Sequence, residues 1–413
     1  MTASEIRALF AVASRPEVVS LAGGMPFTAA LPFDLIGDLV KDVLLRDGSA
    51  ALQYGSGQGD PRLREVLVEL MRLEGIHASG GDVVVTVGSQ QALDLLARIF
   101  CDPGDVIVAE GPTYVGALSA FSQYQVQVRH VPLDRDGLNP DALAAELQRL
   151  EREGRRVKFL YTVPNYHNPA GITLAADRRD RIVELARRHD VLVVEDNPYG
   201  LLGFEGEPQP ALRARDADGV VYLGTLSKVF CPGLRIGWAL VPPSLRERLI
   251  QVKEAADLSH SNFAQAVAYR YFADSPWAET LKSLREIYRE RRDAMLEALL
   301  EDFPPQASWT HPEGGFYVWV DLPERLDARA MLAKAITARV AYVPGGAFYA
   351  DDQGASQLRL SYCFPPPERI REGVRRLAGV VKEELELQRA LGSLSHSHHR
   401  DRGEEPDASR NTT

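Results

Sequence analysis

Short, nearly continuous hydrophobic runs recur through the middle of the chain, at residues 83–87, 106–109, 157–163, 191–194, 220–223 and 236–241. Each is rich in β-branched residues and has the length of a strand buried on both faces. Between many of them the apolar positions switch to helical spacing. Residues 89–100 place Ala92, Leu95, Leu96, Ile99 and Phe100 on one face, and residues 178–189 form a second such pattern. Strands alternating with helices predict an α/β fold: a mostly parallel sheet covered by helices. A charged helical pattern begins near Thr280 and predicts a connector to a smaller α+β lobe. That lobe holds strands at 316–320 and 340–343 and ends in a helix near Gln388. At the other end, Ile6, Leu9, Phe10 and Ala13 repeat at helical spacing after a capping Ser4, and a Gly/Pro-rich loop follows at 21–26. From Leu391 onward apolar periodicity is lost, which predicts an irregular tail. His396, His398 and His399 sit in that tail without a framework, so no metal site is read from them.

Length sharpens this picture. A chain of 413 residues exceeds the roughly 250–300 at which one core stops growing. The expected division is an N-terminal helix and loop at 1–45 joining the small lobe, a large domain at 46–280, a C-terminal domain at 281–390 and the tail at 391–413. The net charge of −10 opposes binding to nucleic acid or an anionic membrane, since both need a basic surface. No apolar run reaches the about 18 residues of a membrane span, and no signal peptide is read at the N-terminus. The three cysteines, Cys101, Cys231 and Cys363, form no C-x-x-C pair. They indicate neither a zinc site nor a disulfide framework and suit a reducing cytoplasm.

The segment with the most chemistry is G-T-L-S-K-V-F-C-P-G-L-R-I-G-W, residues 224–238. It places Lys228 just beyond the carboxyl end of a strand, where open α/β sheets bind ligands. A lysine held neutral there by burial and nearby cations attacks carbonyls as a Schiff-base amine. Thr225, Ser227 and Arg235 supply hydroxyls and a guanidinium suited to a phosphate. Cys231 in the same segment reads as a small packing residue. A second phosphate-friendly element is G-S-Q-Q-A-L-D at 88–94, where a strand passes into a helix. A helix N-terminus offers free N–H groups and a favourable dipole, with Ser89 and Gln90 beside them; Ser89 also reads as a plain helix cap.

These segments occur in order with V-V-E-D-N-P-Y-G at 193–200 and P-N-Y-H-N-P-A-G at 164–171. Together they resemble the fold-type I pyridoxal-phosphate enzymes of the class I and II aminotransferases, over roughly residues 18–363. The resemblance implies that Lys228 holds the cofactor and that Asp196 pairs with its ring nitrogen. It implies that Tyr199 and Asn168 bind the phenolic oxygen, and that Tyr114, in E-G-P-T-Y, stacks on the ring. Arg359, in L-R-L-S-Y, matches the arginine that clamps the substrate carboxylate, with Asn168 assisting. Tyr54 matches a tyrosine reaching the neighbouring subunit's phosphate, which implies a homodimer with shared active sites.

The segments L-A-G-G-M-P and P-G-G-A-F-Y are similar to the 2-aminoadipate and kynurenine aminotransferase group. Gly23 and Gly24 would then let backbone approach the substrate, and Arg15 is a candidate partner for an acidic side chain. The implied reaction moves an amino group from an α-amino acid to a 2-oxo acid such as 2-oxoglutarate by ping-pong double displacement. A lyase or decarboxylase on the same fold remains the alternative at this stage. A transcription regulator is disfavoured, because the motifs begin near Leu21.

Overall fold

The computed structural model describes residues 15–323 and 326–400, with side chains as far as residue 390. The expected helix over 5–13 and its cap Ser4 lie outside the described residues.

After a short strand β1 (Val19–Ser20), the large sheet is built from β2 (Val83–Val87), β3 (Val106–Gly111), β4 (Gln127–Asp134), β5 (Gly137–Leu138), β6 (Val157–Thr162), β7 (Leu192–Asp196), β8 (Val220–Thr225) and β9 (Ile236–Leu240). Its order is β2-β9-β8-β7-β6-β3-β4-β5. The run from β8 through β7, β6 and β3 to β4 is parallel. Strand β9 runs antiparallel to both β8 and β2. The cause is local: residues 226–235 are too few for a parallel crossover, which takes a dozen or more. The chain therefore reverses after β8, and Lys228 lies in that reversal. All six hydrophobic runs read from the sequence are strands here. Strand β4 is the one long strand of this sheet that they did not announce; polar residues take half of its sequence Q-V-R-H-V-P-L-D, and it is held by backbone pairing to β3.

The covering helices bury one stripe each. Gly88–Phe100 buries Ala92, Leu93, Leu95, Leu96 and Ala97, and Ala176–Arg188 buries Ile182, Val183, Leu185 and Ala186. Each fully buried leucine or valine contributes roughly 1.5–3 kcal/mol.

The smaller lobe contains β10 (Ser308–Trp309), β11 (Tyr317–Asp321), β12 (Val340–Ala341), β13 (Val343–Pro344) and β14 (Gln357–Ser361). Four of these form an antiparallel sheet, β10-β11-β14-β13, while β12 pairs in parallel with β1 and joins the two ends of the chain. The single strand expected at 340–343 is thus two. Tyr342 interrupts it, its buried hydroxyl donating to the Ala328 carbonyl at 2.6 Å, and the chain passes from one sheet to the other. Helix Trp277–Asp302, the expected connector, packs along the last helix, Pro367–Arg400.

That last helix corrects the expected tail. It continues past Gln388 to Arg400, so the backbone of residues 391–400 is helical. No proline stops it, and Gly392 alone costs only about 1 kcal/mol. Residues 401–413 and the side chains of His396, His398 and His399 lie outside the described residues. Among the described residues, no helix is long and apolar enough to cross a membrane and no acidic, His or Cys cluster could hold a metal ion.

Candidate active site

Strands β2, β3, β6, β7 and β8 all deliver their carboxyl ends to one edge of the large sheet, because β2 and β8 share a direction across β9. A cavity of about 300 Å³ opens there, between that edge, the β11–β14 strands and the loop at Gly24. Twelve of the fifteen residues expected from the sequence line it: Gly24, Ser89, Gln90, Tyr114, Asn168, Asp196, Tyr199, Thr225, Ser227, Lys228, Arg235 and Arg359. Gly23, Tyr54 and Arg15 do not. Tyr54 is 78% exposed, and Arg15 lies exposed on the surface.

Lys228 reaches into the cavity, its Nζ donating to the Gly24 carbonyl at 3.1 Å. The Nζ lies 5.7 Å from the centre of the Phe316 ring and 6.0 Å from that of Tyr199. Enclosure in protein lowers its pKa to about 8; Arg359 and Arg235 add to this, against Cys363 and Asp196, which pull the other way. From about pH 8 upward this amine is therefore largely an unprotonated nucleophile, well below the range of an ordinary lysine.

Asp196 ends β7 and is 2% exposed. Its Oδ2 accepts from the Tyr161 hydroxyl at 2.9 Å, whereas its buried Oδ1 has no partner. Burial pushes the carboxyl up to about 7, with Tyr161 and Lys228 opposing the shift. An unpaired carboxylate oxygen facing a cavity calls for a cationic donor.

One end of the cavity is built for an anion. Helix Gly88–Phe100 starts one residue earlier than expected, and its cap, Val87, makes no side-chain bond. Ser89 is thus inside the helix and is not its cap. Arg235 is a non-glycine residue in the left-handed region at φ 57°. Its Nη1 donates to Ser227 Oγ at 3.3 Å, and Ser227 Oγ lies 3.0 Å from Thr225 Oγ1. Gly88, at φ +70°, lets Arg235 settle over the helix start; a Cβ there would meet its Nη2 at 2.5 Å. Backbone strain at such a site is held by its surroundings and marks function.

The opposite wall carries Arg359, on β14 and 5% exposed. Its Nη1 donates to Asn168 Oδ1 at 2.9 Å and its Nη2 to the Ala22 carbonyl at 2.7 Å. Its Nε is buried without a partner, and no carboxylate among the described residues pairs with it. The guanidinium stacks on Tyr317, 4.2 Å from the ring centre. A buried cation left without an anion suits a carboxylate-bearing ligand.

Three contributors escaped the sequence reading. Tyr161 and Tyr317 sit in hydrophobic strand runs and look like core. The third is a pair: buried His167, which drew no role, lies with Nε2 3.0 Å from Glu110 Oε2, while its Nδ1 accepts from Ala170 N–H. The hydrogen bonds the Glu110 carboxylate accepts come from the Thr162 hydroxyl and the Val163 N–H. This pair anchors the loop that carries Asn168. Cys231 is partly buried and packs on the core, and burial pushes its thiol up to about 11, consistent with an unreactive packing residue.

Known proteins share this architecture. An aromatic-amino-acid aminotransferase from Thermococcus litoralis is 46% identical over 387 residues, covering 93% of each chain. The crystal structure of a kynurenine aminotransferase from Pyrococcus horikoshii, in complex with PMP, KYN and KYA, superposes with a TM-score of 0.90 at 42% identity. It matches over 93% of this chain and 96% of its own. The α-aminoadipate aminotransferase LysN from Thermus thermophilus, complexed with N-(5'-phosphopyridoxyl)-L-leucine, gives a TM-score of 0.86 at 36% identity, over 94% of this chain and 96% of its own. A model of the family described as aminotransferase class I and II matches residues 21–377, and the chain belongs to that family.

Proposed function

We propose that this enzyme transfers the amino group of an α-amino acid to a 2-oxo acid, using pyridoxal phosphate held at Lys228. The observation that carries the reading is the convergence of a depressed lysine, a half-satisfied aspartate and an unpaired arginine on one cavity. The donor set fits the cofactor. The uncapped helix start at Ser89 and Gln90, the Thr225 and Ser227 hydroxyls and Arg235 would hold its phosphate. The orphan Oδ1 of Asp196 would take its protonated ring nitrogen, Tyr199 and Asn168 its phenolic oxygen, and Tyr114 its ring face.

When bound, pyridoxal phosphate supplies an electron sink for the charge that develops at the substrate α-carbon. The residues do the rest. Asp196 keeps the sink effective through its negative charge. Arg359 and Asn168 fix the substrate carboxylate and so orient the α-C–H bond. The amine of Lys228 takes the α-proton as base and returns it as acid. Because the amino group stays on the enzyme between donor and acceptor, the kinetics are ping-pong.

Incubating the enzyme with a panel of amino acids and 2-oxoglutarate tests this. Glutamate should form in equal amount to the donor's oxo acid; oxo acid or CO2 without glutamate would sink the reading. In the same panel Arg359→Ala should weaken every donor and acceptor, because all carry the α-carboxylate. A bidentate, charge-assisted contact contributes roughly 1.5–3 kcal/mol, or about one to two decades in kcat/KM. Arg15→Ala should reduce activity only with acidic donors such as 2-aminoadipate. Uniform losses would make Arg15 structural.

The same reading makes the enzyme a cytoplasmic homodimer with Tyr54 crossing to the partner's phosphate site. The large domain spans 46–280 and the C-terminal domain 281–390, with helix Trp277–Asp302 running through their boundary. Support for the dimer is that Tyr54 is exposed and does not line the cavity of its own chain. Mixed dimers of Tyr54→Phe and Lys228→Ala chains should contain one native site and one doubly defective site. Cofactor titration should then find half of the sites with wild-type affinity; none at that affinity would refute sharing.

A further inference from the structure

We propose that Gln91 is a positioning residue for the cofactor's phosphate: from outside the cavity it fixes the helix start at Ser89 and Gln90, and Asp257 and Lys253 hold Gln91 in turn. The proposal rests on the reading of the phosphate site given above. Gln91 directly follows two residues that line the cavity but does not line it itself.

The Gln91 amide is bonded at both of its ends. Its Oε1 accepts from the Val87 N–H at 2.8 Å, and its Nε2 donates to Asp257 Oδ2 at 2.8 Å. A backbone N–H can only donate and a carboxylate only accept, so one orientation of the amide satisfies both. Val87 immediately precedes helix Gly88–Phe100. The side chain therefore folds back over the first turn and takes up the N–H of the last residue of β2. The N–H groups that open the helix itself, at Gly88, Ser89 and Gln90, have no partner within it and stay available to an anion.

Asp257 is anchored from its far side. Its Oδ1 accepts from Lys253 Nζ at 3.0 Å, one turn earlier on helix Pro243–Asp257. Lys253 is fully buried, and a buried ammonium without its anion is strongly destabilising. Asp257 therefore stays against Lys253 and presents its second oxygen to Gln91. Two other groups hold the same turn. A Cβ at Gly237 on β9 would lie 2.4 Å from the Gly88 carbonyl carbon and 2.5 Å from Ser89 N, so β9 sets how close the helix comes. Thr86 Oγ1 donates to the Gly88 carbonyl at 2.9 Å and sets how that peptide is turned. Gln91 sets the rotation of the first turn about the strand end. Without it, N–H groups that must converge on one phosphate lose their common aim.

Pyridoxal, the same aldehyde without the phosphate, is the control. Cofactor-free protein is titrated with each aldehyde, and the visible band that depends on Lys228 reports binding. Wild type should prefer the phosphorylated form. Gln91→Met keeps the length of the side chain and removes both bonds. It should weaken pyridoxal phosphate about tenfold, the scale of one hydrogen bond to a charged group, and leave pyridoxal within about twofold. Lys253→Met combined with Asp257→Leu strands neither charge. This pair variant should give the same loss, and adding Gln91→Met to it should give no more. Arg235→Ala should also lower the preference for the phosphate. If it does and Gln91→Met does not, the proposal is overturned and the phosphate site stands. If neither does, the phosphate site falls and the proposal with it. Equal weakening of both aldehydes by Gln91→Met would overturn the proposal as well, because Gln91 would then only support the fold. A wild-type preference in the pair variant would overturn the part given to Asp257 and Lys253.

Discussion

Lys228→Ala protein should show no lysine-dependent visible band on addition of pyridoxal phosphate, and no turnover. The residues proposed to hold the phosphate, Ser89, Thr225, Ser227 and Arg235, are unchanged, so the variant should still bind the cofactor reversibly. What disappears is the only amine that lines the cavity among the described residues. The loss should be complete, because the same nitrogen is assigned both the covalent hold and the movement of the α-proton. Its titration adds a second check on the wild type. Enclosure favours the neutral amine and lowers its pKa to about 8. Capture of the cofactor aldehyde by cofactor-free protein should therefore be slow below that pH, where the amine is protonated. It should rise through pH 8 to a plateau. A rate that climbs only near the ordinary lysine range, above pH 10, would mean that the amine is not desolvated. A visible band that persists in Lys228→Ala would remove the central assignment.

Asp196→Asn should bind cofactor and yet lose most of its turnover. Its partner Tyr161 can still hydrogen-bond an amide, but the negative charge is gone. Leaving a buried cationic partner without its anion costs about 3–5 kcal/mol. If that cost falls on the transition state, kcat drops by roughly two to four decades. Near-normal turnover would take Asp196 out of the mechanism. The cofactor-free protein should show the opposite sign in stability. The folded-state pKa is raised to about 7, so keeping this carboxyl ionised costs stability. That cost is absent below the ordinary aspartate range and complete above pH 7. Cofactor-free Asp196→Asn should thus resist urea better than wild type at pH 8 and about equally near pH 4. A single residue that weakens the empty protein and drives the loaded one is a trade of stability for function.

Much of the molecule was legible because the relevant signals are local. Strands β2, β6 and β8 are continuous apolar runs, and helix Gly88–Phe100 is an amphipathic stripe; both patterns involve residues within a few positions of one another. Lys228 and Asp196 stood out for the same reason, since each follows such a run directly. Where local pattern was weak the reading slipped. Half of strand β4 is polar, the 340–343 run serves two sheets, and the last helix outran its apolar stripe.

The sequence by itself determined the alternation of elements, the edge of the sheet where ligands bind and the residue types gathered there. The tertiary structure decided how those residues are satisfied. Asp196 owes one oxygen's partner to Tyr161 on a neighbouring strand, and its other oxygen is buried without a hydrogen-bond partner. Arg359 meets Asn168, 191 positions away in sequence, and Lys228 meets Gly24, 204 positions away. Tyr54, read from a motif like the others, and Arg15, read only from its place beside the 21–26 loop, end up outside the cavity of their own chain. Spacing along the chain encodes which face a residue takes, because that depends on 2.0- and 3.6-residue periods. Burial, unpaired atoms and shifted pKa values depend on groups from distant strands, and no period carries them.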